Sequence, residues 1–318
     1  MNRGISVIIC CYNSAWIIGR TLEAIKKQSF PTSMPYEVIL VDNCCTDDTV
    51  RVAKNIMRDS QIELHIVQES EPGLMFARRR GIKEVKYEYV IFCDDDNILC
   101  PNYVSTMACF LDNMPDVGAI GGKGIAEFCT EPAKIVKNNL ECYAVGSQLK
   151  HKDWLFGAGL ALRTELVREI YNNQQCFLMG RTGKNLLSGD DTELVMSVVL
   201  RGYNTYATDE ITYIHVLKEN RLTEEYFFRL RKGLMLPQPV ICAMRAAIYG
   251  KKFSGVIRHF LFLTKQFIKY SILWWKPNAD IKRQLTYEEI EPYFYWGFPK
   301  LYLIYHQWIQ IKQNAPAK

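Results

Sequence analysis

Repeatedly in its first third, the chain places a short apolar, β-branched run, ends it on a polar or acidic side chain, and follows it with apolar residues at helical spacing. Residues 5–11, ISVIICC, stop at Tyr12, Asn13 and Ser14 and lead into Ile17, Leu22 and Ile25. Residues 37–41, EVILV, stop at Asp42 and Asn43. The oxygens of Thr46, Asp47 and Asp48 then suit the cap of a helix carrying Val50, Ala53 and Met57. A third run, 63–67, precedes a Pro72-Gly73 turn and a helix through Met75, Ala77 and Ile82, and a fourth, 89–93, ends at Asp94, Asp95 and Asp96. Strands apolar on both sides and separated by helices pair in parallel, with helices covering both faces of the sheet. Ligands of such sheets sit beyond the carboxyl ends of the strands. Asn13, Asp42 and the three aspartates at 94–96 are therefore expected to converge on one crevice.

The later pattern is more mixed. Strands are expected at 117–120 and 157–162, a helix at 192–200 and a strand-like run at 211–214. Beyond His215 the sequence reads as helices at 223–235, 239–249, 254–275 and 300–312, punctuated by Pro237, Pro239, Pro277, Pro292 and Pro299. With 318 residues, 48% hydrophobic and 23% charged, the chain can bury one large α/β unit, alone or with an appended subdomain. Its 11 cysteines form no CxxC pair, so neither a disulfide nor a zinc framework is expected, and a reducing compartment suits them. The first residues lack the pattern of a signal peptide, which makes the cytoplasm the expected location.

The net charge of +5 is unevenly spread: residues 251–282 are basic, with Asp280 the single acid. That suits an anionic membrane surface or a phosphorylated substrate. The basic residues are interleaved with Phe, Leu and Trp and build no base-reading motif, so no nucleic-acid partner is expected. Residues 259–275 are apolar but short, and Lys265 and Lys269 interrupt them. This is a poor membrane crossing and a fair match to a helix lying among headgroups on the inner face of a membrane; burial against the rest of the chain is the alternative.

Clustered carboxylates repel unless a cation or hydrogen bonds compensate them, and hard oxygens suit Mg²⁺ or Mn²⁺. The triplet at 94–96 fits that use because it follows a buried strand; a solvated turn before Pro101 is the plainer reading. A second acidic site, SGDDTEL at 188–194, offers Asp190 and Asp191 either as a general base or as acids complementing a helix N-terminus. Of Arg78, Arg79 and Arg80, successive on a helix, only one or two can face a site, and Arg78 is the choice for neutralising phosphate. His215 reads as a nitrogen ligand or as a structural histidine. Trp154, shortly before Gly157, reads as a sugar-stacking ring or as core.

In this order the motifs resemble the family 2 glycosyltransferases of the GT-A fold over about residues 5–235. ISVIICCYN at 5–13 looks like the opening strand and nucleotide loop, and VDNCCTDDT at 41–49 like the second motif. PGLMFARRRG at 72–81 is similar to the family's Gly-x-x-x-Ala-Arg-Asn-x-Gly segment, with Arg79 where Asn is usual. FCDDDN at 92–97 matches the Asp-x-Asp signature, and GDDTEL at 189–194 resembles Gly-Glu-Asp-x-Glu-Leu with Asp190 in place of Glu. The resemblance implies a GT-A catalytic domain over residues 1–215, with its donor part at about 1–115 and its acceptor part at about 116–215. A helical region at 216–318 would follow as lid and membrane contact. It implies a donor site made by Tyr12, Asn13, Asp42, Arg78, Asp94 and Asp95, a divalent cation held by Asp96 and His215, an acceptor side at Trp154, Gly157 and Asp190, and Asp191 as base. The implied reaction moves a sugar, with inversion, from a nucleotide-diphospho-sugar to a carbohydrate or lipid-linked hydroxyl, in cell-surface polysaccharide or glycolipid synthesis. The competing classes are a sugar-phosphate nucleotidyltransferase, which usually needs a glycine-rich phosphate loop that residues 10–14 lack, and a non-catalytic nucleotide-sugar-binding protein at the membrane.

Overall fold

The structure is a computed structural model that describes residues 1–29, 34–173, 176–182, 186–276 and 278–314. Its first half follows the expected alternation: β1 (Asn2–Cys11), α1 (Ile18–Lys26), β2 (Tyr36–Asp42), α2 (Thr49–Met57), β3 (Glu63–Gln68), α3 (Leu74–Glu84) and β4 (Tyr87–Asp94). Neighbours pair in parallel in the order β3-β2-β1-β4. Cys10 is level with both Val41 and Asp94, so the polar residues ending β1, β2 and β4 come out together. β1 is buried on both faces: Ile5, Val7 and Ile9 join the core under α1 and α2, while Ile8 joins the opposite core under α3. Capping of α2 falls to Asp47, whose carboxylate accepts from the Thr49 N–H at 3.0 Å and from the Ala15 N–H at 3.0 Å, tying together the loops after β1 and β2.

The second half adds β5 (Asn97–Leu99), α4 (Tyr103–Asn113), β6 (Val117–Phe128), the short α5 (Lys134–Lys137), β7 (Leu160–Arg163), α6 (Thr164–Asn173), α7 (Asp190–Leu200) and β8 (Asn204–Leu217). The sheet becomes eight strands in the order β3-β2-β1-β4-β7-β6-β8-β5, with β7 antiparallel to β4 and β6, and β5 antiparallel to β8. β7 begins only at Leu160, so Gly157 lies in the loop before it rather than in a strand. β6 and β8 run well past their expected ends. The first half of β8, residues 204–210, is largely polar and, apart from the buried Thr208, half-buried or exposed, a pattern that an apolar-run reading truncates.

The chain closes with α8 (Glu224–Met235), α9 (Gln238–Ile248), α10 (Ser254–Ile272), α11 (Ala279–Trp296) and α12 (Phe298–Asn314). Thr223 caps α8 by accepting from the Tyr226 N–H at 3.1 Å. α11 was not expected, because Pro292 reads as a break; the helix runs through it. Residues of α9 to α12 share one core with Met196 and Leu200 of α7, so the tail's inner side is buried against the α/β unit. Among the described residues no helix is long and apolar enough to cross a membrane.

Candidate active site

Beyond the carboxyl ends of β1 and β4 lies a cavity of about 370 Å³. Both acidic groups open into it: Asp94, Asp95 and Asp96 from the end of β4, and Asp190 and Asp191 from the first turn of α7. Tyr12, Arg78, Trp154, Gly157 and His215 also line it. Asn13 and Asp42 do not. Asn13 Oδ1 accepts from the Thr46 N–H at 2.8 Å, and Asp42 Oδ1 accepts from the Cys45 N–H at 2.9 Å, so both brace the loop at 43–46. Asn43, which the sequence reading passed over, does reach the cavity. Its amide donates to the carbonyls of Glu69 and Glu71 and accepts from the Gly73 N–H, which holds the loop into α3.

The antiparallel pairing of β5 with β8 places His215 opposite Asn97 and thus beside Asp96. Asp96 is almost wholly buried. One oxygen lies 3.3 Å from His215 Nε2, and the other accepts from the Arg221 guanidinium at 2.9 Å. His215 Nδ1 is 2.7 Å from the Tyr143 carbonyl, which can only accept, so that nitrogen carries the proton. Left neutral, the ring would aim its Nε2 lone pair at a carboxylate oxygen and at any cation beside it; protonated at Nε2 as well, it pairs with Asp96 as a charge. Two acceptors in that relation fit a shared cation, and oxygen with imidazole suits Mn²⁺ as well as Mg²⁺. Burial would lift Asp96, but the His215 and Arg221 charges outweigh it and hold the carboxyl well below its ordinary range. Burial, and then the Asp96 charge, push Asp95 up to about 7. The Asp95 carboxylate is turned toward the loop between β1 and α1, where it accepts from the Ser14 hydroxyl.

Among the described residues, the three metal-ligating side chains whose donor atoms already lie within 4.8 Å of one another are elsewhere: Glu37, Glu63 and His65, at the opposite strand ends. The Lys86 ammonium sits there, 2.9 Å from Glu63 and 2.8 Å from His65 Nε2, so that cluster has its cation.

On the other side of the cavity floor, Arg78 donates to Asp190 at 2.6 Å, and both side chains are buried. Burial pushes Asp190 up to about 6 against the pull of Arg78. Arg78 is therefore engaged by a carboxylate, and Arg181 and Arg221 are the further guanidinium groups on the cavity wall. Arg79 reaches Cys176 Sγ and Arg80 pairs with Glu84, away from the cavity.

Asp191 is only partly buried. One oxygen accepts from its neighbour's N–H, at Thr192, and the other from the Gly157 N–H at 3.0 Å. Glycine at 157 leaves room for both side chains: a β-carbon there would come within 2.5 Å of the Arg78 guanidinium and 3.2 Å of Asp191, so the guanidinium would have to shift. Trp154 stacks on His151, ring centroids 3.6 Å apart, and presents an aromatic surface to the same cavity.

This is the GT-A fold. The chain superposes on the structure of residues 1–349 of Staphylococcus aureus TarS in complex with UDP-GlcNAc, with a TM-score of 0.53 and 16% identity over 92% of this chain and 91% of that one. It also superposes on the mannosyltransferase PcManGT of Pyrobaculum calidifontis in complex with GDP-Man and Mn²⁺, with a TM-score of 0.55 and 17% identity over 98% of this chain and 85% of that one. In sequence it is 30% identical to the poly(ribitol-phosphate) beta-N-acetylglucosaminyltransferase TarS of Staphylococcus aureus across 121 residues, 38% of this chain and only 21% of that relative's length. The chain belongs to glycosyl transferase family 2, whose family model matches residues 6–176, more than half of it.

Proposed function

We propose that the chain transfers a sugar from a nucleotide-diphospho-sugar to a hydroxyl of a carbohydrate or lipid-linked acceptor in the synthesis of a cell-surface polymer or glycolipid. The observation that carries this reading is the single cavity shared by the acids of β4 and those of α7. The solved relatives bound to UDP-GlcNAc and to GDP-Man with Mn²⁺ support a nucleotide-sugar donor and a divalent cation. Residues 1–215 would carry donor and acceptor, and 216–318 the lid and the membrane contact.

Asp96 and His215 would hold the cation, with Asp94 and Asp95 nearby on the donor side, and when bound it supplies positive charge to the leaving diphosphate. Arg181 and Arg221 add fixed positive charge to the same wall. Tyr12, Asn13 and Asp42 stand where β1 and β2 end, on the side toward which the donor's nucleoside would extend. Trp154 offers a ring face to the acceptor sugar. Asp191, held by two backbone N–H groups, keeps further lone pairs for the acceptor and takes its hydroxyl proton. The acceptor oxygen then bonds to the anomeric carbon as the bond to the diphosphate breaks, and the electron pair leaves with the nucleoside diphosphate. A single displacement of this kind inverts the anomeric centre.

The test is a transfer assay with a panel of nucleotide sugars in Mn²⁺ or Mg²⁺. Asp96→Ala should abolish transfer and weaken cation-dependent donor binding. Asp191→Asn should lower kcat by at least about a hundred-fold while donor affinity stays within a factor of about three. Full transfer by Asp191→Asn would remove the base from this scheme.

A further inference from the structure

α10 has two outer sides. Ile257, Leu261, Ile268 and Ile272 follow one another at spacings of four, seven and four, which places them on one stripe, and all are exposed, Leu261 at 57% and Ile272 at 61%. Lys265 falls within that stripe, and Arg258, Phe262 and Lys269 lie along its flank, exposed as well. The opposite side is packed: Val256 and Leu263 are buried, and Phe260 and Phe267 lie against Phe294 and Tyr287 of α11. Just past the end of the helix come Trp274 and Trp275, exposed at 68% and 61%, and then Lys276. Phe294 and Tyr295 of α11 are also exposed, as are Tyr302 and Leu303 of α12.

Ordinary surface does not look like this, since apolar side chains of this size are exposed in a row rather than singly. The charge is also one-sided. The α11 acids Glu288, Glu289 and Glu291 pair with Arg231 and Lys232 of α8, and Asp280 pairs with Arg283. Among the described residues Arg258, Lys265, Lys269 and Lys276 form no ion pair. Apolar stripe, basic flank and terminal tryptophans match the layers of an anionic bilayer surface: acyl boundary, phosphates and interface. The stems of Lys265 and Lys269 can lie along the apolar stripe while their ammonium groups reach phosphate.

We propose that the outer side of α10, with the Trp274-Trp275 corner, lies in the headgroup region of an anionic membrane and seats the protein on it by one face. The chain does not cross the bilayer in this arrangement. None of these residues lines the catalytic cavity, and binding is read without turnover, so failure of this proposal and failure of glycosyl transfer are distinguishable.

The test uses the full chain with vesicles of phosphatidylcholine alone and of phosphatidylcholine with phosphatidylglycerol. The protein is expected to sediment with the anionic vesicles, to be released as salt rises, and to show tryptophan emission shifted to shorter wavelength on binding. Lys265→Glu with Lys269→Glu should weaken vesicle binding by at least about ten-fold. Trp274→Ser with Trp275→Ser should abolish the emission shift, and both variants should melt at the wild-type temperature because the altered side chains are exposed. Should one variant fold poorly, the other decides. Absence of vesicle binding by the wild type, or undiminished binding by a folded variant, overturns the proposal. So does a stable dimer that these substitutions dissociate in the absence of lipid, which would assign the face to a second copy of the chain.

Discussion

Single residues carry this site because charge is buried there. Arg78 and Asp190 form a pair on the cavity floor with side chains only 4% and 5% exposed, and removing one partner leaves the other a poorly solvated charge. Glu193 is the less obvious case. Two positions beyond Asp191, it is buried and accepts from the N–H groups of Phe177 and Leu178, and so pins the segment that brings Arg181 to the cavity. Burial pushes Glu193 up to about 8 from the ordinary 4.5. Between those values the folded chain holds a proton that the unfolded chain has released, so this residue's contribution makes stability fall as pH rises from about 4.5 to 8 and level off above. Glu193→Gln has no proton to release and should flatten that part of the profile. Melting temperatures of both proteins across pH 5 to 9 check it, and parallel profiles would show that Glu193 ionises normally. Arg78, Asp96 and Asp191 were legible because runs of like charge at strand and helix ends stand out in one dimension. Glu193 and Arg221 were not, since each looks like a common surface residue until the fold buries it or aims it.

At the scale of elements, α8 is the piece that touches both halves of the site. Arg221, just before it, holds Asp96, while Tyr226 and Leu234 line the cavity from the helix. At its far end Gly233 packs directly on the backbone of Leu186, and its carbonyl accepts from the Ser188 N–H at 3.3 Å, in the segment that leads into Asp190 and Asp191. A β-carbon at 233 would overlap the Leu186 carbonyl. Gly233→Ala should therefore cost about 1–3 kcal/mol of stability. It should also lower kcat while donor affinity is retained, because the displaced segment leads into Asp191, the proposed base, and not into the aspartates proposed for the donor side. Denaturant unfolding with kcat and KM measured side by side checks both parts; an equal loss in donor binding would place Gly233 on the donor half instead. Two of the elements the sequence reading missed failed for separate reasons. β5 is three residues long, and its partner is the distant β8. α11 contains Pro292, a residue that usually ends a helix, and survives because Ile290, Tyr293 and Trp296 are buried around it.

Across the whole molecule, the tail and the α/β unit are one packing problem. Trp308 of α12 is fully buried in the core that also holds Met196 and Leu200 of α7, the helix that begins at Asp190. Trp308→Ala should cost about 3–5 kcal/mol and lower the melting of the catalytic region with that of the tail, in one transition. Two separate transitions, with the catalytic one unmoved, would show that the tail folds apart. The resemblance carried by five ordered motifs, the parallel alternation of β1 to β4 and the acids that close them could all be read from the chain, because strand period, helix period and turn chemistry act over a few residues and leave a local pattern. Tertiary structure alone decided which carboxylates share a cavity, that Asn13 and Asp42 brace a loop while Asn43 reaches the wall, that Arg78 faces Asp190, and that α10 keeps one side in the core and turns the other out. Most of those outcomes depend on pairings between residues well separated in the chain, 112 positions for Arg78 with Asp190, and on which groups lose water, and neither leaves a periodic trace in the sequence.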